Sequence, residues 1–249
     1  MTQPTSVAPW CAKVITLFPE LFPGPLAASR VGKALQAGLW QLETINLRNF
    51  GHGIHRLVDD RPLGGGPGMV FRPDVVASAL DSTLSDRQDD RNLWPLICLT
   101  PRGRPLHQND VHQWSQARGV TLLCGRFEGI DERVIQKYRF DEVSLGDFVL
   151  SGGEIAAYAL IDSVVRLIPD VLGNAESLKE ESHSKSLLEW PQYTRPRVWQ
   201  GLPVPDILLS GHHTEIAKWR ELEAQRATQR RRPDLWQAYQ ADSEASTDK

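Results

Sequence analysis

Short apolar runs that alternate with helical patterns constrain this fold more than any other feature of the chain. The runs are KVITLFP (13–19), PLICLTP (95–101), GVTLLCG (119–125) and FDEVSLG (140–146), each closed by Gly or Pro. At this length and apolarity they read as buried strands. Helical patterns cover 73–84, 109–118, 130–138 and 154–168. The first opens on Pro73 with Asp74 in its first turn, as helix starts prefer. Strands that alternate with helices predict an α/β fold, a mostly parallel sheet with helices on both faces.

In such sheets ligands bind beyond the carboxyl ends of the strands. Three turns qualify: LTPRGRP (99–105), CGRFEGID (124–131) and SLGDFVLSGGE (144–154). Because all three follow strands, they are candidates to converge on one site. The last has the glycines of a phosphate loop but not its chemistry. It carries one spacer too many for GxxxxGK[ST], and Glu154 stands where a lysine would help. The dinucleotide fingerprint fails too, since LGGGPGM (63–69) has neither a preceding strand nor the GxGxxG spacing. His52 with His55, and His212 with His213, have no cysteine partners at zinc-ligand spacing, and no GxSxG elbow occurs. A cationic, adenine-bearing ligand without phosphate suits such a turn better. Backbone amides and carbonyls would hold it, and nearby carboxylates would favour its charge. S-adenosylmethionine has these properties.

The 249 residues carry a net charge of −3, so a case for nucleic acid has to be local. Cys11, Cys98 and Cys124 lie far apart with no CxxC pair, which predicts a reduced, cytoplasmic protein. No segment approaches the ~18 apolar residues of a membrane span, and MTQPTSVAPW does not read as a signal peptide. Beyond residue 171 the pattern changes. NAESLKEESHSKS (174–186) reads as a polar linker, WPQYTRPRVWQGLPVP (190–205) is too apolar for one, and 212–231 is a helix pattern. The expected organisation is a ligand-binding domain over 1–171, a linker over 172–189 and a small helical domain over 190–249. The polar end, ADSEASTDK, reads as frayed.

Six segments in order carry a resemblance: VDDRPLGGGPGMV (58–70), LCGRFEGIDERVI (123–135), SLGDFVLSGGE, RLIPDVLGN (166–174), YTRP (193–196) and LLSGHHTEIAKWR (208–220). Together they resemble the bacterial tRNA (guanine-37-N1)-methyltransferases of the SPOUT superfamily, over roughly 13–235. The resemblance implies a deep trefoil knot whose three loops bind S-adenosylmethionine. It implies a homodimer with each active site at the subunit interface, and the tRNA anticodon stem-loop as partner. Carried over residue by residue, the cofactor contacts are Leu99, Thr100, Pro101 and Gly103; then Gly125, Phe127, Glu128 and Gly129; then Ser144, Leu145, Gly146, Asp147, Phe148, Val149, Leu150, Gly152 and Gly153. Phe127 stands where the family often has tyrosine. Mg²⁺ is compatible with the resemblance, but the sequence shows no dedicated metal site.

N1 of neutral guanine carries a proton, so methylation there needs a base for that proton and a positive group for the charge that builds on the 6-oxygen. By resemblance Arg166 takes the 6-oxygen; otherwise it is a surface arginine favoured by a helix C-terminus. Where the family has an aspartate–serine step this chain has Glu181–Ser182, which makes Glu181 the base, with Glu180 its rival and a solvated acidic linker the alternative. Glu128 either caps the helix near Ile130 or meets the ligand, and Asp147 either touches the ligand or supports a residue that does. Asp59–Asp60–Arg61 is either an ordinary turn or part of a loop near the tRNA. Lys218, Arg220, Arg226, Arg230, Arg231 and Arg232 crowd one stretch and read as an RNA track. Trp199 and Trp219 are stacking candidates, though Trp219 fits a small core better. Methylation of another RNA position, or a silent RNA-binding relative, are the competing readings.

Overall fold

The computed structural model describes residues 8–84, 90–172, 181–183 and 186–247. The chain forms two compact units, Met1–Gly173 and Asn174–Lys249. The first is built on a five-stranded sheet of β1 (Trp10–Thr16), β2 (Trp40–Asn46), β5 (Leu96–Pro105), β6 (Gly119–Cys124) and β7 (Asp141–Ser144). Its order is β2-β1-β6-β5-β7, and every pairing is parallel. Two-residue strands β3 (Asp59–Asp60) and β4 (Val70–Phe71) pair antiparallel beside it.

All residues of β1 and β6 are buried, as inner strands covered on both faces must be. Their side chains split by the two-residue period of a strand. Ala12, Val14, Ile97, Leu99, Val120 and Leu122 share one core with α1 (Ser29–Gln36), α3 (Gln108–Gln116) and α5 (Glu154–Val165). Ile15, Leu96 and Leu123 share the other with α2 (Pro73–Leu84) and α4 (Glu132–Tyr138). Helices therefore cover both faces, as the alternation predicts. No helix among the described residues is long and apolar enough to cross a membrane.

In the second unit β8 (Val198–Trp199) and β9 (Leu202–Pro203) form a hairpin, followed by α6 (His213–Arg231) and α7 (Pro233–Thr247). The polar tail expected to fray continues instead as α7. Pro233 and Asp234 open that helix, and the Gln225 amide donates to the Tyr239 hydroxyl (3.2 Å), tying α7 to α6. On α6 the buried Thr228 hydroxyl donates to the Ala224 carbonyl (2.7 Å) and accepts the Leu188 N–H (2.8 Å), which fixes the segment leading to Trp190. Most of the expected linker, including Glu180, lies outside the described residues.

Candidate active site

The strands β6, β5 and β7 are neighbours in the sheet, so the turns after β6 and β7 lie beside β5, whose residues 99–105, expected as a turn, continue the strand instead. Together these segments wall a cavity of about 330 Å³, a size suited to a small organic ligand. From β5 come Leu99, Thr100 and Pro101; from the turn after β6 come Gly125, Phe127, Glu128 and Gly129. From the turn after β7 come Ser144, Leu145, Phe148, Val149, Leu150, Gly152 and Gly153. The first set reaches the cavity because the β5–β7 register jumps between Leu99 and Arg104, so the residues between them bulge out of the ladder.

The sequence grouped Gly103, Gly146 and Asp147 with these, and they lie outside the cavity lining. Gly103 serves the bulge: a Cβ there would run into the backbone of Glu142 and Val143. Gly146 serves the turn itself, with its N–H donating to Ser144 Oγ (3.2 Å) and its carbonyl accepting from that hydroxyl (2.9 Å). Asp147 is exposed.

The turn after β6 is held from two sides. Glu128 N–H donates to the Met69 carbonyl (3.0 Å) and Phe71 N–H to the Gly129 carbonyl (2.9 Å), which joins it to the glycine-rich segment before β4. A Cβ on Gly68 would strike the Glu128 carboxylate, so that side chain lies directly on the glycine. Glu128 is not the helix cap. That role falls to Asp131, whose side chain accepts the Arg133 N–H (3.0 Å) at the start of α4. Phe127 takes a left-handed φ of 57°, rare for an aromatic residue, and its exposed ring meets Phe71 edge-on at 5.9 Å. On the other side, the Gly153 N–H donates to the Gly125 carbonyl (2.9 Å), and a Cβ on Gly153 would lie 2.8 Å from Cys124 Cα.

Both arginines that line the cavity, Arg102 and Arg126, were passed over in the sequence. Both stand inside the quoted turns, and only their neighbours distinguish them. Arg102 pairs with Glu142 (2.8 Å) and Glu132 across the rim of the cavity. Arg126 pairs with the buried Glu154 (2.9 Å). Cys98 also lines the cavity, but burial, its largest influence, pushes the thiol up to about 12, and Cys124 is raised by the same cause. Neither is a nucleophile at neutral pH. Among the described residues no group of His, Cys, Asp and Glu could hold a metal ion.

Arg166 caps the C-terminal end of α5, its N–H bonded to the Asp162 carbonyl (3.2 Å). Glu181 is half-buried and belongs to the second unit. In that unit a groove of about 500 Å³ is lined by Trp190, Arg226, Arg230 and Arg231, with Glu189 and Glu223 among its walls. The Arg220 guanidinium lies 4.9 Å from the centre of the Trp190 ring. Trp219 is half-buried against Tyr193 (6.2 Å), in keeping with a core role, whereas Trp199 is 59% exposed.

Fold and site together define an α/β protein whose small-molecule site lies beyond the carboxyl ends of a parallel sheet. Comparison with known proteins makes the class particular. The family model described as "tRNA (Guanine-1)-methyltransferase TrmD" matches residues 11–238, and the chain belongs to that family, within the SPOUT superfamily. A protein of Cereibacter sphaeroides (strain KD131 / KCTC 12085), named tRNA (guanine-N(1)-)-methyltransferase, is 61% identical over 230 residues, covering 92% of each chain. Proteins with the same name from Ruegeria pomeroyi and Brucella ovis are 59% and 54% identical. The alignments cover 93% of this chain and 94% of the first relative, and 92% of this chain and of the second.

Proposed function

We propose that the protein transfers a methyl group from S-adenosylmethionine to N1 of guanosine 37 in tRNA, beside the anticodon. The observation that carries this is the convergence of a bulged stretch of β5 and the turns after β6 and β7 on one cavity in a chain of this family. The cavity suits the cofactor. Its walls combine apolar side chains, among them Leu99, Ile130, Leu145 and Leu150, with four glycines, Gly125, Gly129, Gly152 and Gly153. Such walls can offer amides and carbonyls to an adenine and an amino acid moiety. When bound, S-adenosylmethionine supplies an electrophilic methyl group on a sulfonium.

In this reading Glu181 accepts the proton from guanine N1, which frees the lone pair that attacks the methyl carbon. Arg166 stabilises the negative charge on the 6-oxygen. Residues 1–171 hold the cofactor, 190–249 hold the anticodon stem-loop, and 172–189 join them and carry the base. Target guanine has to leave its stack to reach the cavity, which is cheap in an anticodon loop. A second copy of the chain covers the cavity mouth. Phe148 (54% exposed) and Val149 (81% exposed) leave an apolar rim there that a homodimer interface would bury.

The test mixes the purified protein with labelled S-adenosylmethionine and two tRNA transcripts that differ only in guanosine or adenosine at position 37. Label on the guanosine transcript alone, mapped to N1, is the expected result. Label on both overturns the assignment of position 37, and no label on either overturns the activity.

A further inference from the structure

An ion pair with one almost fully buried partner joins the turn after β6 to the start of α5. Glu154 opens α5 and is 1% exposed. Its Oε1 accepts the Thr16 hydroxyl (2.7 Å) at the end of β1. Its Oε2 lies 2.9 Å from Arg126 Nη2, close enough for an ion pair though not aligned for a hydrogen bond. The Arg126 guanidinium sits 4.6 Å from the centre of the Phe18 ring and donates to the Ser151 carbonyl (3.2 Å). One side chain is thus gripped by the end of β1, the start of α5 and the turn before it.

Arg126 belongs to the turn after β6, and its backbone bridges Gly152 in the turn after β7. If Gly152 carried a Cβ, the three nearest atoms would all be Arg126 side-chain atoms, Nε nearest. Gly152 has no left-handed φ to demand a glycine. The glycine is there because the arginine lies across it. Glu154 costs solvation by being buried, and that cost is compensated only if Arg126 stays in place. Arg126 in turn can stay only if position 152 has no side chain.

We propose that Arg126 is a positioning residue for the cofactor. Clamped by Glu154, it fixes the turn after β6 against the turn after β7, and Gly152 is the glycine this clamp requires. The proposal rests on the cavity being the S-adenosylmethionine site. Arg126 acts through the two turns that wall the cavity, so its loss should weaken cofactor binding before it slows methyl transfer.

The experiment measures S-adenosylmethionine affinity by titration calorimetry, with thermal unfolding alongside, for the full chain and four variants. Gly152→Ala and Arg126→Ala should each weaken binding about tenfold or more, as misplacement on the ångström scale does. The double variant should bind no more weakly than Arg126→Ala alone, because the added methyl then meets the space the arginine has left. Leu80→Val, in the core on the other face of the sheet and outside the cluster, should lower Tm and leave affinity unchanged. Gly152→Ala binding as tightly as the unsubstituted chain overturns the proposal. So does a double variant weakened by the product of the two single effects. Loss of affinity in Leu80→Val in step with Tm would show that affinity follows stability alone, which also overturns it. Absence of binding by the unsubstituted chain overturns the cofactor reading, and the proposal with it.

Discussion

Glu181 carries one methylene more than the aspartate of the family it resembles, and a carboxylate displaced by about 1 Å can cost ~100-fold in rate. A base that accepts the guanine N1 proton is worth about 10²–10⁴-fold. Glu181→Gln should therefore lower the single-turnover rate by that factor and leave cofactor affinity unchanged. Glu181→Asp should stay within ~100-fold of the native rate, and Glu180→Gln should be active. A fully active Glu181→Gln enzyme removes the assignment. Asp74 gives a pH dependence instead. A hydrogen bond from Arg72, helped by His52, holds its carboxyl down to about 2. The unfolded value is near 3.9, so the native state binds that proton less readily. Its contribution is complete above about pH 4 and is lost as pH falls toward about 2. Asp74→Asn should flatten this part of the stability profile in acid unfolding. The gain is small, because both partners are substantially exposed.

At the scale of the elements, the bulge in β5 decides whether Thr100 and Pro101 reach the cavity, and Gly103 decides whether the bulge can lie on β7. Gly103→Ala sets a methyl against backbone atoms of Glu142 and Val143, which have little room to yield. Overpacking of this kind costs about 1–3 kcal/mol, read as a lower midpoint in urea, and cofactor affinity should fall with it. The sequence placed Gly103 among the cofactor contacts because close backbone approach to a ligand and to a neighbouring strand leave the same mark, a glycine. The strands β1 and β6 and the buried first half of β5 were legible because both of their faces are covered, whereas β7, an edge strand of mixed burial, showed only as part of the longer run FDEVSLG. β2, WQLETIN, was not legible: it is an edge strand whose burial is mixed, and its polar residues hide the period. The α7 helix was hidden by a polar composition that says nothing of its contact with α6. Arg126 and Glu154 were on the page as letters, but the ion pair joins residues 28 apart and only the folded turns bring them together.

For the molecule as a whole, some properties leave no trace in any residue. A knot is a path of the chain through its own loops and a dimer is a relation between chains, so the expectation of each rests on the resemblance alone. Charge is different, because its local sum can be read directly. The net charge of −3 hides the basic stretch of the second unit. There Lys218, Arg226 and Arg232 are paired with Glu215, Glu223 and Asp234. Arg230 and Arg231 make no ion pair among the described residues, and both line the groove beside Trp190. Unpaired guanidinium groups at the wall of a groove suit RNA phosphates, and each phosphate neutralised releases counterions. Replacing both arginines with alanine should weaken tRNA binding and flatten the plot of log affinity against log salt by about 1.4–1.8 in slope. The S-adenosylmethionine dissociation constant should not change, since the cavity belongs to the other unit. An unchanged salt slope would place the phosphate contacts elsewhere on the protein. A fall in cofactor affinity would mean that the two units do not divide the work as proposed.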